Sequence, residues 1–171
     1  FGLLLKNGSA TDTLNRPGLT YLTNSLLDEG TTTRSSHEIA EEFEFIGSHL
    51  MINTGREHTL LSAETLKQNW PKALELAADV LQRATFPDSE YERVQREHLT
   101  NLSRIKDDPN AIAERVSRML LYGPTSTYGH PISGNSASAS TLTKGDLVEH
   151  FQHHYSPDIT TLLVVGDVSL E

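Results

Sequence analysis

Cysteine is absent from all 171 residues, which excludes disulfide staples, thiolate nucleophiles and cysteine-based zinc-finger or iron–sulfur ligation. Basic residues are scarce relative to acidic ones: 14 Lys and Arg stand against 23 Asp and Glu, a formal charge of −9. That balance argues against nucleic acid, because phosphate-backbone binding needs clustered cations to release counterions. It is compatible with basic or extended peptide partners. Long apolar runs are also missing, so no segment reads as a membrane span. What is present is ordinary: 36% hydrophobic and 22% charged residues, in a length that suits one domain with a core able to stand without staples.

The chain opens on Phe1, directly on a strand-like run, and residues 160–167 read as another strand just before the end. The expectation is a fragment or processed product, a single module over residues 1–171, truncated at its C-terminal end, with any targeting signal outside it.

Between those strands the punctuation is clear. Asn7-Gly8 marks a turn after the first strand. Pro17-Gly18 opens a helical spacing of Leu19, Leu22, Leu26 and Leu27 that runs to Glu29 and stops at Gly30. Ser35 and Glu38 fit a capping box for a helix over 36–45, ending at Gly47. Residues 48–53 and 58–63 read as an antiparallel hairpin around Thr54-Gly55-Arg56. Residues 69–84 are amphipathic, with Trp70, Ala73, Leu74, Ala77, Val80 and Leu81 on one face. Further helices are expected over 88–106, 110–121 and 143–155, with a long irregular but packed connection over 123–141. Strands interleaved with helix groups around a hairpin make the class α+β.

The order of these elements and several local strings resemble the pitrilysin/insulinase family of zinc metallopeptidases. The strings are the run from Gly18 to Thr31, Ile46-Gly47-Ser48, Arg56-Glu57-His58-Thr59, the Trp70 to Thr85 helix, the run from Ile105 to Pro109, Tyr128-Gly129-His130-Pro131-Ile132-Ser133-Gly134, and Tyr155-Ser156-Pro157 through Val165-Gly166-Asp167. They cover nearly the whole chain. The resemblance implies a metallohydrolase-like module, an antiparallel β-sheet with helices packed mainly on one face.

Active members of that family carry H-x-x-E-H on a helix. Its two histidines share one helix face and bind one zinc, and its glutamate is the general base. A glutamate on a distant helix completes the ligand set and leaves one position for water. By this resemblance the histidine positions fall here on Tyr21 and Ser25, the base position on Asn24, and the distant ligand position on Asn101. A protonated phenol, a neutral hydroxyl and two amides supply neither ligands nor a base, so the expectation is an inactive module with no metal and no cofactor. The implied role is to complete a cleavage chamber and bind or position peptide substrate for a catalytic, zinc-containing homologous subunit or domain. The Arg and Tyr by which such halves usually hold the substrate backbone would lie beyond Glu171. A structural or assembly subunit is the alternative, and an enzyme with a different site a third. Compartment stays open, with a lean towards the bacterial periplasm taken from homologues of this style.

Other candidate groups have simpler explanations. His150 and His154 are four apart on one expected helix and could share a metal, yet with His153 they suit a helix C-terminus, where positive charge is favoured. His49 and His58 read as strand residues. Glu41, Glu42 and Glu44 read as solvated helix surface, and Asp107-Asp108 as a helix boundary. Tyr128-Gly129-His130 reads as a structural loop rather than a mobile ligand loop.

Overall fold

The computed structural model describes residues 1–168. Strands β1 (Gly2–Leu5), β2 (Met51–Thr54), β3 (Thr59–Ser62) and β4 (Thr160–Leu163) form one antiparallel sheet in the order β2-β3-β1-β4. Leu3 pairs with Leu61, and Leu61 with Ile52, so these three side chains share a face. That face is the covered one, with Leu5 and Leu61 fully buried. The opposite face carries Met51 and Leu163, both about half exposed. Helices thus cover mainly one side, as expected.

The helices are α1 (Leu19–Asn24), α2 (Ser36–Phe45), α3 (Trp70–Arg83), α4 (Asp88–Arg104), α5 (Pro109–Tyr122), α6 (Ser136–Thr141) and α7 (Lys144–His154). A single core joins Leu22, Leu26 and Leu27, Phe43 of α2, Ala77 and Val80 of α3, and Leu147 of α7 to the sheet. Each fully buried leucine stabilises by roughly 2–3 kcal/mol relative to exposure. Local signals hold at α2, where Ser35 accepts from the Glu38 N–H and the Glu38 carboxylate accepts from the Ser35 N–H. They hold again at α5, where Asp108 accepts from the Asn110 and Ala111 N–H groups. No helix among the described residues is long and apolar enough to cross a membrane.

Three elements differ from the sequence expectation. The helix expected from Pro17 to Glu29 ends at Asn24. There Ser25 sends both its N–H and its hydroxyl to the Tyr21 carbonyl, and the chain continues in tighter turns, Leu26 to Thr23 and Leu27 to Asn24. The connection over 123–141 contains α6, begun by a capping box between Asn135 and Ser138. Its Ser, Ala and Thr content disguised it as loop, yet Ala139 is buried and the Ser138 hydroxyl donates to the Pro17 carbonyl. The last strand stops at Leu163 rather than continuing to Asp167.

Strand β2 is a sheet edge. At the hairpin turn the Gly55 N–H donates to the His58 carbonyl at 2.7 Å. Bonded pairs alternate along an antiparallel ladder, so Asn53 and Met51 also bond to β3. Ile52 and Thr54 therefore direct their backbone N–H and C=O groups to the open edge.

Candidate functional site

The N-terminus of α1 is fixed by a buried carboxylate from upstream. Asp12 accepts from the Gly18 N–H at 2.8 Å, the Thr20 N–H at 2.9 Å and the Thr20 hydroxyl at 2.6 Å. Burial raises the Asp12 pKa, and these donors pull it back. Thr20 has one hydroxyl proton; spent on Asp12, it leaves Thr20 Oγ1 as acceptor for His150 Nε2–H at 3.0 Å. His150 is thereby a strut between α7 and α1. Desolvation, then neighbouring His154, pushes its pKa down to about 4. Gly18 itself has φ +93, and a Cβ there would stand 2.8 Å from the Ser133 carbonyl oxygen.

Held this way, α1 presents Tyr21, Asn24, Ser25 and the following Asp28 to a cleft of about 390 Å³ completed by Ile52, Asn53 and Thr54 of the edge strand. Asn24 is the best anchored. Its amide nitrogen donates to Thr54 Oγ1 and Thr59 Oγ1, each at 2.8 Å, and its carbonyl oxygen accepts from the Tyr155 hydroxyl. Burial raises the Tyr155 pKa strongly. The Ser25 hydroxyl is committed to the Tyr21 carbonyl, and the Tyr21 ring lies against that of His98 on α4, with centroids 5.1 Å apart. His98 is buried, makes a 3.0 Å contact from Nε2 to the Ser133 carbonyl, and is kept neutral-leaning by desolvation.

Tyr21, Asn24 and Ser25 therefore meet in one cleft. Asn101 is not among its lining; it lies exposed on α4, three residues after His98 and four before Ile105, on the stripe that faces Tyr21. Asp28, which the sequence did not single out, is the carboxylate in this cleft, its pKa raised by burial and lowered by Arg93. One carboxylate beside a phenol, a hydroxyl and a fully engaged amide does not match a tetrahedral zinc set of imidazole and carboxylate ligands. Among the described residues no group of three or more His, Asp or Glu side chains is placed to hold a metal ion.

The remaining candidates are dispersed. His153 is exposed and bonds through Nδ1 to the Glu149 carbonyl, while His154 stacks on His150 at 4.5 Å. His49 and His58 are exposed beside the hairpin. Glu42 pairs with Arg34 and Lys72. The loop at Tyr128-Gly129-His130 is packed, with Gly129 buried and Tyr128 against Tyr122. Sequence reasoning placed Arg56 only in the hairpin turn and a family string and passed over Arg115 and Arg118; the three line a neighbouring cleft that shares Tyr21 and Thr54 with the first.

A helix held across the end of a half-covered antiparallel sheet, its side chains facing an edge strand, defines a metallohydrolase-like α+β module. The sequence model of Insulinase (Peptidase family M16) matches residues 1–126, and the chain belongs to that family. An uncharacterized zinc protease of Rickettsia felis is 31% identical over 97% of this chain and 40% of its own length. Mitochondrial-processing peptidase subunit beta of Homo sapiens is 26% identical, over 98% of this chain and 34% of its own. Subunit 1 of the Bos taurus cytochrome b-c1 complex is 27% identical, over 96% and 34%. Among solved structures, a peptidase M16 inactive domain from Pseudomonas fluorescens superposes with a TM-score of 0.81 at 29% identity, covering 88% of this chain and 36% of that one. The chain thus spans roughly two fifths or less of these relatives.

Proposed function

We propose that this chain is a non-catalytic module of an insulinase-type metallopeptidase, which completes the cleavage chamber and holds an extended peptide for a zinc-bearing partner. The observation that carries this reading is the seat of Asn24. At the position the family resemblance assigns to the general base stands an amide whose hydrogen-bonding capacity is spent on Thr54, Thr59 and Tyr155. An amide cannot take a proton from water near neutral pH, and this one has become a joint between α1, the hairpin and the end of α7. Tyr21, Ser25 and Asn101 at the ligand positions point the same way. So do the inactive-domain neighbour and the relative that is a peptidase subunit.

Peptide binding is supported by the open edge of β2. The outward N–H and C=O groups of Ile52 and Thr54 can add a strand without regard to side-chain sequence, and that edge borders the α1 cleft. The test is reconstitution: the complete protein, alone and with a homologous subunit that carries an intact H-x-x-E-H, is assayed on an unfolded peptide. Cleavage confined to the pair is expected. Cleavage by the protein alone that survives Asn24→Ala and Asn101→Ala would overturn the reading.

A second reading, a structural subunit without any part in proteolysis, is favoured by the relative in the cytochrome b-c1 complex. Stable co-purification with a complex lacking any peptidase subunit would select it.

A further inference from the structure

We infer that Arg56, Arg115 and Arg118 form a carboxylate-binding subsite just beyond the open end of β2, and that the peptides this module holds carry an acidic side chain or a free C-terminus there. Arg56 leaves the hairpin turn, while Arg115 and Arg118 stand on neighbouring turns of α5. All three line one cleft of about 340 Å³, together with Tyr21 and Thr54. Three of the 14 basic residues of a chain with net charge −9 therefore share one small cleft.

Their hydrogen-bonding capacity is not used up. Arg56 donates from Nη1 to the Thr127 carbonyl at 3.0 Å, and its guanidinium lies 5.9 Å from the Tyr128 ring centroid. Among the described residues, however, Arg56 Nε and Nη2 and Arg115 Nη2 are shielded from solvent without a partner. Buried charged donors of this kind are costly to leave unmet, and a ligand oxygen would satisfy them. The local field is cationic: burial and then Arg118 depress the Arg56 pKa, offset in part by Glu114, Tyr122 and Asp12.

Carboxylate is the favoured anion for a geometric reason. Arg118 already receives one, with Nε and Nη2 reaching Glu114 Oε1 at 3.1 and 3.0 Å. Glu114 is largely exposed, so a ligand carboxylate can displace it and reach the unmet donors of Arg56 and Arg115. Planar guanidinium forks match carboxylates in this manner. The peptide character of the ligand rests on the edge-strand reading above, since Thr54 both ends that edge and lines the cleft; the preference for a carboxylate rests on the arginines alone.

The experiment uses the complete protein and fluorescent extended peptides, acetylated and amidated, differing only in one Glu or Gln, with a third Gln peptide ending in a free carboxylate. Anisotropy titrations should give the Glu peptide, the free-carboxylate peptide or both a roughly tenfold or greater advantage over the neutral one, as for loss of one hydrogen bond to a charged group. Which carboxylate gains identifies its source. Arg118→Gln and, separately, Arg115→Gln should erase the advantage while leaving the melting temperature and neutral-peptide affinity unchanged. Equal affinity of all three peptides, or an advantage that survives both variants, overturns the subsite. A backbone N-methylated Glu peptide separates the two readings. If it binds as well as its parent, the edge-strand reading falls and the carboxylate site stands. If methylation abolishes binding while Glu and Gln remain equal, only the carboxylate site falls.

Discussion

The Tyr155 hydroxyl donates to the side-chain carbonyl of Asn24 across 131 positions of sequence. This bond closes a buried junction in which the Asn24 amide also holds Thr54 and Thr59 of the hairpin. Removing that amide takes the acceptor from the buried Tyr155 hydroxyl and a donor from Thr54 Oγ1 and Thr59 Oγ1, although Thr59 still donates to the Asn7 carbonyl. Asn24→Ala should therefore cost about 2–4 kcal/mol of stability, measured by chemical denaturation. A change below about 0.5 kcal/mol would show that the junction carries little.

Backbone contact between α1 and the loop before α6 sets a second expectation. A Cβ on Gly134 would stand 2.1 Å from the Pro17 carbonyl oxygen, and Gly18 holds φ +93. Gly134→Ala must push the two segments apart, and Gly18→Ala adds backbone strain. Each should lower stability by about 2 kcal/mol or more, whereas Gly145→Ala, inside α7 where a Cβ would meet Thr143 Oγ1 at an ordinary 3.6 Å, should be neutral or better.

Stability should fall as the solution is acidified below the ordinary histidine range. The folded pKa of His150 is depressed to about 4 from an ordinary 6.5. Between those values the unfolded chain binds a proton that the folded chain refuses, so the stability present above pH 6.5 is lost as pH drops towards 4. The gap corresponds to roughly 3 kcal/mol, and His98, also depressed by burial, acts with the same sign. His150→Gln, which keeps a donor for Thr20, should flatten much of this slope in denaturation curves recorded from pH 4 to 7. An unchanged slope would remove His150 from the explanation.

The chain between Gly30 and α2 is anchored by Asp79. This buried carboxylate accepts from Thr31, Thr33 and Arg34, and Arg34 also pairs with Glu42 and Glu75. Arg34→Ala leaves the buried Asp79 charge with the Thr31 and Thr33 hydroxyls and with Arg83, whose Nη1 reaches Asp79 Oδ1 at 3.3 Å, and should cost about 2 kcal/mol. Asp79→Asn combined with Arg34→Ala should recover part of that loss in the same denaturation assay.

Much of the fold was legible because its signals are local. The capping box at Ser35 and Glu38, the apolar stripe of α3, the Asp108-Pro109 boundary and the hairpin turn each operate within a few residues. Helix α6 was not legible, since Ser136–Thr141 has no apolar stripe and its start depends on the reciprocal Asn135–Ser138 contact. The early end of α1 was hidden for a related reason: its leucine spacing suits a helix, but burial of Leu26 and Leu27 is achieved by tighter turns. At the site, family strings located Tyr21, Asn24 and Ser25. They did not indicate what those side chains touch. The partners of Asn24 lie 30, 35 and 131 positions away, and no local pattern encodes such distances. The arginine cleft was missed likewise, because Arg56 and Arg118 meet only through the placement of α5 beside the hairpin.

The proposed loss of catalysis is tested most directly by measuring zinc content and chelator-sensitive peptide cleavage together on the purified complete protein without any partner. If Tyr21, Asn24, Ser25 and Asn101 occupy the ligand and base positions, as the family resemblance implies, zinc well below one ion per chain and no chelator-sensitive cleavage are expected. One tightly held zinc per chain, with cleavage lost on chelation and restored by zinc, would contradict it.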